Sequence, residues 1–215
     1  MEAEHIQGLE ERMGLLSGAF VDQVAALYDE TNDALVLADD FRRPFLDRGY
    51  LTLDELAKIA AWKTQRQKIH VLRNVSETVE AVTRQAFNCP EPWLAAWTLS
   101  YLTAVNTRLA SAILTVFDPT RYAVFDIRTW SALKRLDVLE PLGLSKYGGI
   151  ASVNLDSPET YAAYLEACRR LADEADVSLR ALDRCLWTVG GLGASELAAH
   201  GIVMPSEVTS AFSQP

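Results

Sequence analysis

Apolar side chains recur at steps of three and four residues along most of this chain, and nowhere do they alternate with polar ones as a multi-strand sheet requires. The fold class expected is therefore all-α. From Glu10 to Tyr28 the stripe is Met13, Leu16, Phe20, Val24 and Leu27. Thr52-Leu53-Asp54-Glu55 has the capping-box form, which predicts a helix from Leu53 to Trp62 or Lys63. Ser76-Glu77 is a weaker start signal for a helix through Val79, Val82 and Phe87, ended by Asn88-Cys89-Pro90. Pro92 suits the first turn of the next helix, where its missing amide hydrogen is not needed, and Trp93, Ala96, Trp97 and Tyr101 give it an apolar face, with the three aromatics expected in the core rather than as a base-stacking platform.

After a break at Thr103 to Asn106, Leu109, Ala110, Ile113, Leu114 and Phe117 resume helical spacing up to Asp118-Pro119. A short β-prone piece, Tyr122-Ala123-Val124-Phe125, then leads to Asp126, which stands as a helix cap ahead of Ile127 to Leu136. Further on come a glycine-rich loop at Tyr147-Gly148-Gly149 and a start signal at Ser157-Pro158-Glu159. The helix that follows carries Tyr161, Tyr164, Leu165, Cys168 and Leu171. Another helix is expected from Asp176-Val177-Ser178 through Leu179, Leu182 and Leu186 to Gly190-Gly191, and the polar tail from Pro205 is expected to fray. Trp130 and Trp187 are expected in the core.

Composition narrows the function classes. At 215 residues, with 49% hydrophobic and 23% charged side chains, this is an ordinary globular chain rather than a disordered one, read as a single helical domain over residues 1–215. No run is long and apolar enough for a membrane span, and the acidic start MEAEHIQGLEE lacks the regions of a signal peptide, so the expected location is cytoplasmic. Cys89, Cys168 and Cys185 are too few and too widely spaced for a disulfide framework or a metal knuckle. His5, His70 and His200 show no ligand spacing, no phosphate-binding P-loop is present, and neither metal nor cofactor is expected.

The net charge of −9 argues against nonspecific coating of nucleic acid, but it is unevenly distributed. Residues 1–61 carry 5 basic and 13 acidic side chains, residues 62–135 carry 10 and 5, and residues 136–215 carry 5 and 11. Only the middle third is basic. Lys63, Arg66, Lys68, Arg73 and Arg84 make up half of that charge; a solvated helix face and a DNA-facing surface are both open readings of it.

Within this basic third, Leu102-Thr103-Ala104-Val105-Asn106-Thr107-Arg108 followed by Tyr122-Ala123-Val124-Phe125-Asp126-Ile127-Arg128-Thr129-Trp130 resembles the helix-hairpin-helix DNA glycosylases of the HhH-GPD superfamily. Their signature is a hairpin of the type L-P-G-V-G between two helices, then an apolar helix and a short extended stretch bearing one aspartate at the head of a further helix. The pattern D-x-[HR]-x-W is closest to the 8-oxoguanine glycosylase branch. The match covers residues 91–136, roughly a fifth of the chain. It implies two helical lobes with the hairpin unit at their junction, and duplex DNA as partner, with the target nucleotide turned out of the helix.

The resemblance also assigns roles. Asp126 matches the catalytic carboxylate, which stabilises the positive charge that builds on the sugar as the N-glycosidic bond breaks. Thr103, Ala104, Val105, Asn106, Thr107 and Arg108 match the phosphate-binding hairpin, Arg128 matches a phosphate contact, Lys63 and Arg66 belong to a facing DNA surface, and Trp130 borders the pocket. Two departures matter. Ala104 and Asn106 replace the hairpin glycines, and Ala104 is expected to resist left-handed geometry, so the turn should be tightened differently. Arg108 stands where the lyase branch has a Schiff-base lysine; a guanidinium stays protonated, so a monofunctional glycosylase is implied. The alternatives are a glycosylase-derived DNA- or protein-binding module without catalysis, and a helical scaffold that never meets nucleic acid.

Overall fold

The computed structural model describes residues 16–202 and 204. Among them all regular structure is helical and no strand occurs, as the three- and four-residue periodicity predicts. Met13, His5, the acidic start and the tail from Pro205 lie outside the described residues. No described helix is long and apolar enough to cross a membrane.

The chain divides into two compact units, one from Met1–Tyr28, Asp126–Asn154 and Glu166–Pro215, the other from Asp29–Phe125 and Leu155–Leu165. In the second, the Leu53–Lys63 helix opens on the expected capping box: Thr52 Oγ1 accepts the Glu55 amide and the Glu55 carboxylate accepts the Thr52 amide. This helix packs on the Thr107–Phe117 helix, and Leu56, Ile59 and Ala60 of the first and Ile113 and Leu114 of the second are fully buried. Each such Leu or Ile contributes about 1.5–3 kcal/mol on removal from water. The Ser76–Phe87 and Pro92–Leu99 helices pair with each other, and the latter also packs on Thr107–Phe117. Ser76 is the first helical residue rather than the cap, a place taken by Val75 with no side-chain bond.

The Asp39–Arg48 helix was not legible by periodicity, because it is mostly polar and holds Pro44 in its interior. Its ends carry the usual signals: Asp39 and Asp40 in the first turn, Arg48 in the last, and left-handed Gly49 beyond. Arg42 ties this helix to the end of Thr107–Phe117 by donating to the carbonyls of Val116 at 2.8 Å and Phe117 at 2.9 Å.

In the other unit the Ile127–Arg135 helix packs on Leu179–Gly191, which packs in turn on Gly18–Ala25. Trp130, Leu133, Leu182, Leu186 and Val189 are fully buried here. A Cβ on Gly190 would lie 1.9 Å from the Arg128 carbonyl oxygen, so only glycine permits the close approach of these two helices. Arg135 donates to the carbonyls of Val189 and Leu192, satisfying the end of Leu179–Gly191 with a cation where the helix dipole favours one. Ser178 starts that helix by accepting the Ala181 amide, as expected. Gly18–Ala25 is shorter than the stripe from Glu10 implied, because Ser17 caps it by accepting the Phe20 amide at 3.3 Å.

Candidate functional site

Residues 103–106 form a tight turn between the Pro92–Leu99 and Thr107–Phe117 helices, as the resemblance implies for a hairpin. The turn is made differently from the expectation. Ala104 adopts the left-handed region, with φ of 65°, where a glycine was thought necessary. Asn106 stays extended at φ −94° and caps the following helix, its side chain accepting the Leu109 amide at 3.1 Å. The two substituted positions thus divide the work: one supplies the reversal and the other the cap. Thr103 and Ala104 are exposed, while Val105 is buried beneath them.

What holds Ala104 in that strained conformation is a neighbouring segment. Asn74 Nδ2 donates to the carbonyls of Thr103 at 3.0 Å and Val71 at 2.8 Å, while Asn74 Oδ1 accepts the Thr103 amide at 2.7 Å. Both backbone groups of Thr103 are therefore fixed before the chain enters Ala104. Sequence reasoning missed Asn74, because a lone Asn after a helix reads as a stop signal.

Two proposed hairpin donors are already engaged. Thr107 is 2% exposed and donates to the Asp156 carbonyl at 2.8 Å, which removes it from the surface set. Arg108 is exposed and meets the Asp156 carboxylate at 3.3 Å. An exposed pair of this kind contributes about 0–1 kcal/mol, so the guanidinium can turn to another anion at little cost. Lys63 ends the Leu53–Lys63 helix, half-buried, and Arg66 is exposed in the short turn Gln65–Gln67.

The route to Asp126 begins on the hairpin's second helix. Buried Ser111 accepts the Phe125 amide at 2.9 Å, and Tyr164 donates to the Val124 carbonyl at 3.0 Å, so the 122–125 piece is a buried segment without regular structure, held by side chains. It ends where Asp126 begins the other unit. Asp126 is half-buried and caps Ile127–Arg135: Oδ1 accepts the amides of Arg128 at 2.9 Å and Thr129 at 3.1 Å, and the Asp126 amide donates to Thr129 Oγ1 at 3.1 Å. This is a full capping box, worth about 1 kcal/mol to its helix. The structural role of the carboxylate is therefore present whether or not it also acts chemically.

Arg128 is exposed and lies over the Trp187 ring, 4.4 Å from its centroid, with Tyr28 packed edge-on to the same ring. Trp187 is 36% exposed rather than core, even with Arg128 and Tyr28 covering part of its ring. Trp130 is fully buried and its indole donates to the Gly148 carbonyl at 3.3 Å. It is a core residue, as expected from the sequence: the Ile127–Arg135 helix turns this side chain inward, away from solvent.

The largest departure concerns the aromatics ahead of the hairpin. Trp93, Trp97 and Tyr101, expected in the core, are 38%, 48% and 69% exposed. The buried face of that helix consists of Ala95, Ala96, Thr98 and Leu99, whose smaller side chains allow close packing against its neighbours. No cluster able to hold a metal ion occurs among the described residues. Cys168 and Cys185 are buried, and burial pushes the Cys185 thiol up to about 12, which leaves it inert. No protein-family model matches the chain, and comparisons with curated proteins and with solved structures find no match.

Proposed function

We propose that this chain is a DNA-binding protein on a two-lobed helix-hairpin-helix plan, acting as a monofunctional DNA glycosylase with Asp126 as its catalytic carboxylate. The observation that carries the reading is Ala104: a residue with a Cβ held at φ 65°, in the turn position where the resembling family places glycine. Left-handed geometry there is disfavoured by about 1–2 kcal/mol, so a turn kept in spite of it points to a backbone shape that matters. The turn leads into the head of the Thr107–Phe117 helix, where the dipole favours a phosphate. Arg108, Arg128, Lys63 and Arg66 supply cationic contacts to the DNA backbone. Asp126 supplies the negative charge that an oxocarbenium-like state requires, and Arg108 in place of a lysine limits the reaction to base release.

The test incubates the protein with duplex oligonucleotides carrying a panel of damaged and modified bases, with and without hot alkali. Strands cleaved only after alkali support the proposal. A covalent adduct trapped by borohydride contradicts the monofunctional mechanism. A second reading, a binding module without catalysis, is favoured by the full capping box around Asp126 and by the engagement of Thr107. It is selected if duplex DNA binds and no base is released from any member of the panel.

A further inference from the structure

Six of the large apolar side chains left exposed among the described residues come from two short segments of the Asp29–Phe125 unit: Ile69, Leu72, Val75, Trp93, Trp97 and Tyr101. The structure brings these segments together around the hairpin. Gln67, Tyr101 and the residues from Leu102 to Asn106 line one open depression of about 540 Å³, and Asn74 is bonded to Thr103 on both sides of its peptide. Trp97 and Tyr101 lie side by side, with ring centroids 5.8 Å apart. Adjoining exposed aromatic side chains of this kind mark a surface that a partner covers.

The charge around it identifies the partner. Residues 62–75 and 92–108 hold five Lys or Arg and no Asp or Glu, in a chain that carries 29 acidic side chains. Arg66, Lys68 and Arg73 are exposed and make no ion pair among the described residues. Exposed aromatic faces beside unneutralised cations suit a strand whose bases are unpaired, since every base offers a π-face for stacking and every linkage a phosphate for the cations. A protein partner would call for apolar side chains on its own surface and gives no reason for three exposed cations, Arg66, Lys68 and Arg73, that make no ion pair among the described residues.

We infer that Trp97 and Tyr101 form a stacking platform for unpaired nucleotides of DNA, with Arg66, Lys68 and Arg73 as its phosphate contacts. The inference rests on the DNA-binding reading above and adds a preference for single-stranded or gapped DNA over intact duplex. It requires no catalysis by Asp126.

The experiment measures binding of a labelled oligothymidylate and of a blunt duplex by fluorescence anisotropy, together with quenching of tryptophan emission. Oligothymidylate should bind and quench. Trp97→Ala and Tyr101→Ala should each weaken its binding roughly tenfold or more, with duplex affinity within about twofold of wild type and Trp97→Phe near wild type. Both side chains are exposed, so unchanged circular dichroism melts are expected and separate loss of binding from loss of fold. Duplex binding with oligothymidylate affinity unchanged in the variants overturns the platform and leaves the DNA-binding reading standing. Failure to bind either probe removes both. Tighter binding of oligouridylate than of oligothymidylate overturns the assignment to DNA. Self-association of the wild type that Trp97→Ala abolishes in sedimentation also overturns it, by showing a contact between copies.

Discussion

Asn74 clamps Thr103 from both sides of its backbone: the side-chain carbonyl accepts the Thr103 amide at 2.7 Å, and the side-chain amide donates to the Thr103 carbonyl at 3.0 Å. One residue from a neighbouring segment thereby sets the direction in which the hairpin enters its left-handed turn. Asn74→Ala should destabilise the protein by about 1–3 kcal/mol, since two backbone groups and the Val71 carbonyl lose a partner. Asn74→Asp should destabilise it more, because a carboxylate would face the two carbonyls. Urea unfolding checks the size, and faster hydrogen exchange at the Thr103 amide checks the location.

Ala104→Gly should stabilise the protein by up to about 1 kcal/mol. Glycine removes the left-handed penalty of about 1–2 kcal/mol and returns part of it as unfolded-chain entropy. Ala104→Val should destabilise, as a branched side chain tolerates that region worse. The shift in urea midpoint at constant slope is the measurement.

Asp126→Asn should keep most of the stability of the Ile127–Arg135 helix, because Asn caps nearly as well as Asp, while base release falls by orders of magnitude through loss of the negative charge. Asp126→Ala should lose about 1 kcal/mol of stability as well. Equal base release by wild type and Asp126→Asn would remove Asp126 from the catalytic role.

Duplex binding should depend steeply on salt. Arg66→Ala, Arg108→Ala and Arg128→Ala should each lower the slope of log K against log salt by about 0.9 if each loses one phosphate contact. For Arg128 the loss should be accompanied by a small change in stability, since its guanidinium also stacks on Trp187. Anisotropy titrations at several salt concentrations give both numbers.

Cys185 gives a pH dependence with a defined sign. Its folded thiol is pushed up to about 12 by burial, above the ordinary value of 9.0, so the unfolded chain loses that proton first as pH rises. The thiol's contribution is fully present below pH 9 and is lost progressively between 9 and 12. Cys185→Ala should flatten the fall in stability over that window, measured by urea unfolding at each pH. In native protein at neutral pH, Cys185 should resist thiol reagents that modify half-buried Cys89.

Local signals were the readable part of this chain. The capping box at Thr52, the cap at Asp126, Pro92 at its helix start, Ser178 at another and the buried stripe of Tyr161, Tyr164, Leu165, Cys168 and Leu171 all depend on residues within a turn or two of one another. Helix formation is decided at that range, so the all-α class and most boundaries could be read directly. Where a polar helix with an internal proline formed, at Asp39–Arg48, the local pattern pointed the other way. Contacts such as Arg42 on the carbonyls of Val116 and Phe117 now hold that helix against its neighbour.

Which face of a helix is covered was a different matter. On Pro92–Leu99 the sequence alone favoured Trp93 and Trp97 as the core face, since large aromatics bury the most area. The neighbouring helices instead pack on Ala95, Ala96 and Leu99, and the tryptophans are left outside. The same limit applies at the hairpin: the sequence alone marks residues 103–106 as a break, and only tertiary structure shows that Asn74, from 29 residues earlier in the chain, holds Thr103 so that Ala104 can turn left-handed. The sequence by itself determined most of the helices and their starts, because these follow from nearest neighbours along the chain. Tertiary structure alone decided which surfaces stay exposed and how a strained turn is kept, because both depend on partners distant in sequence.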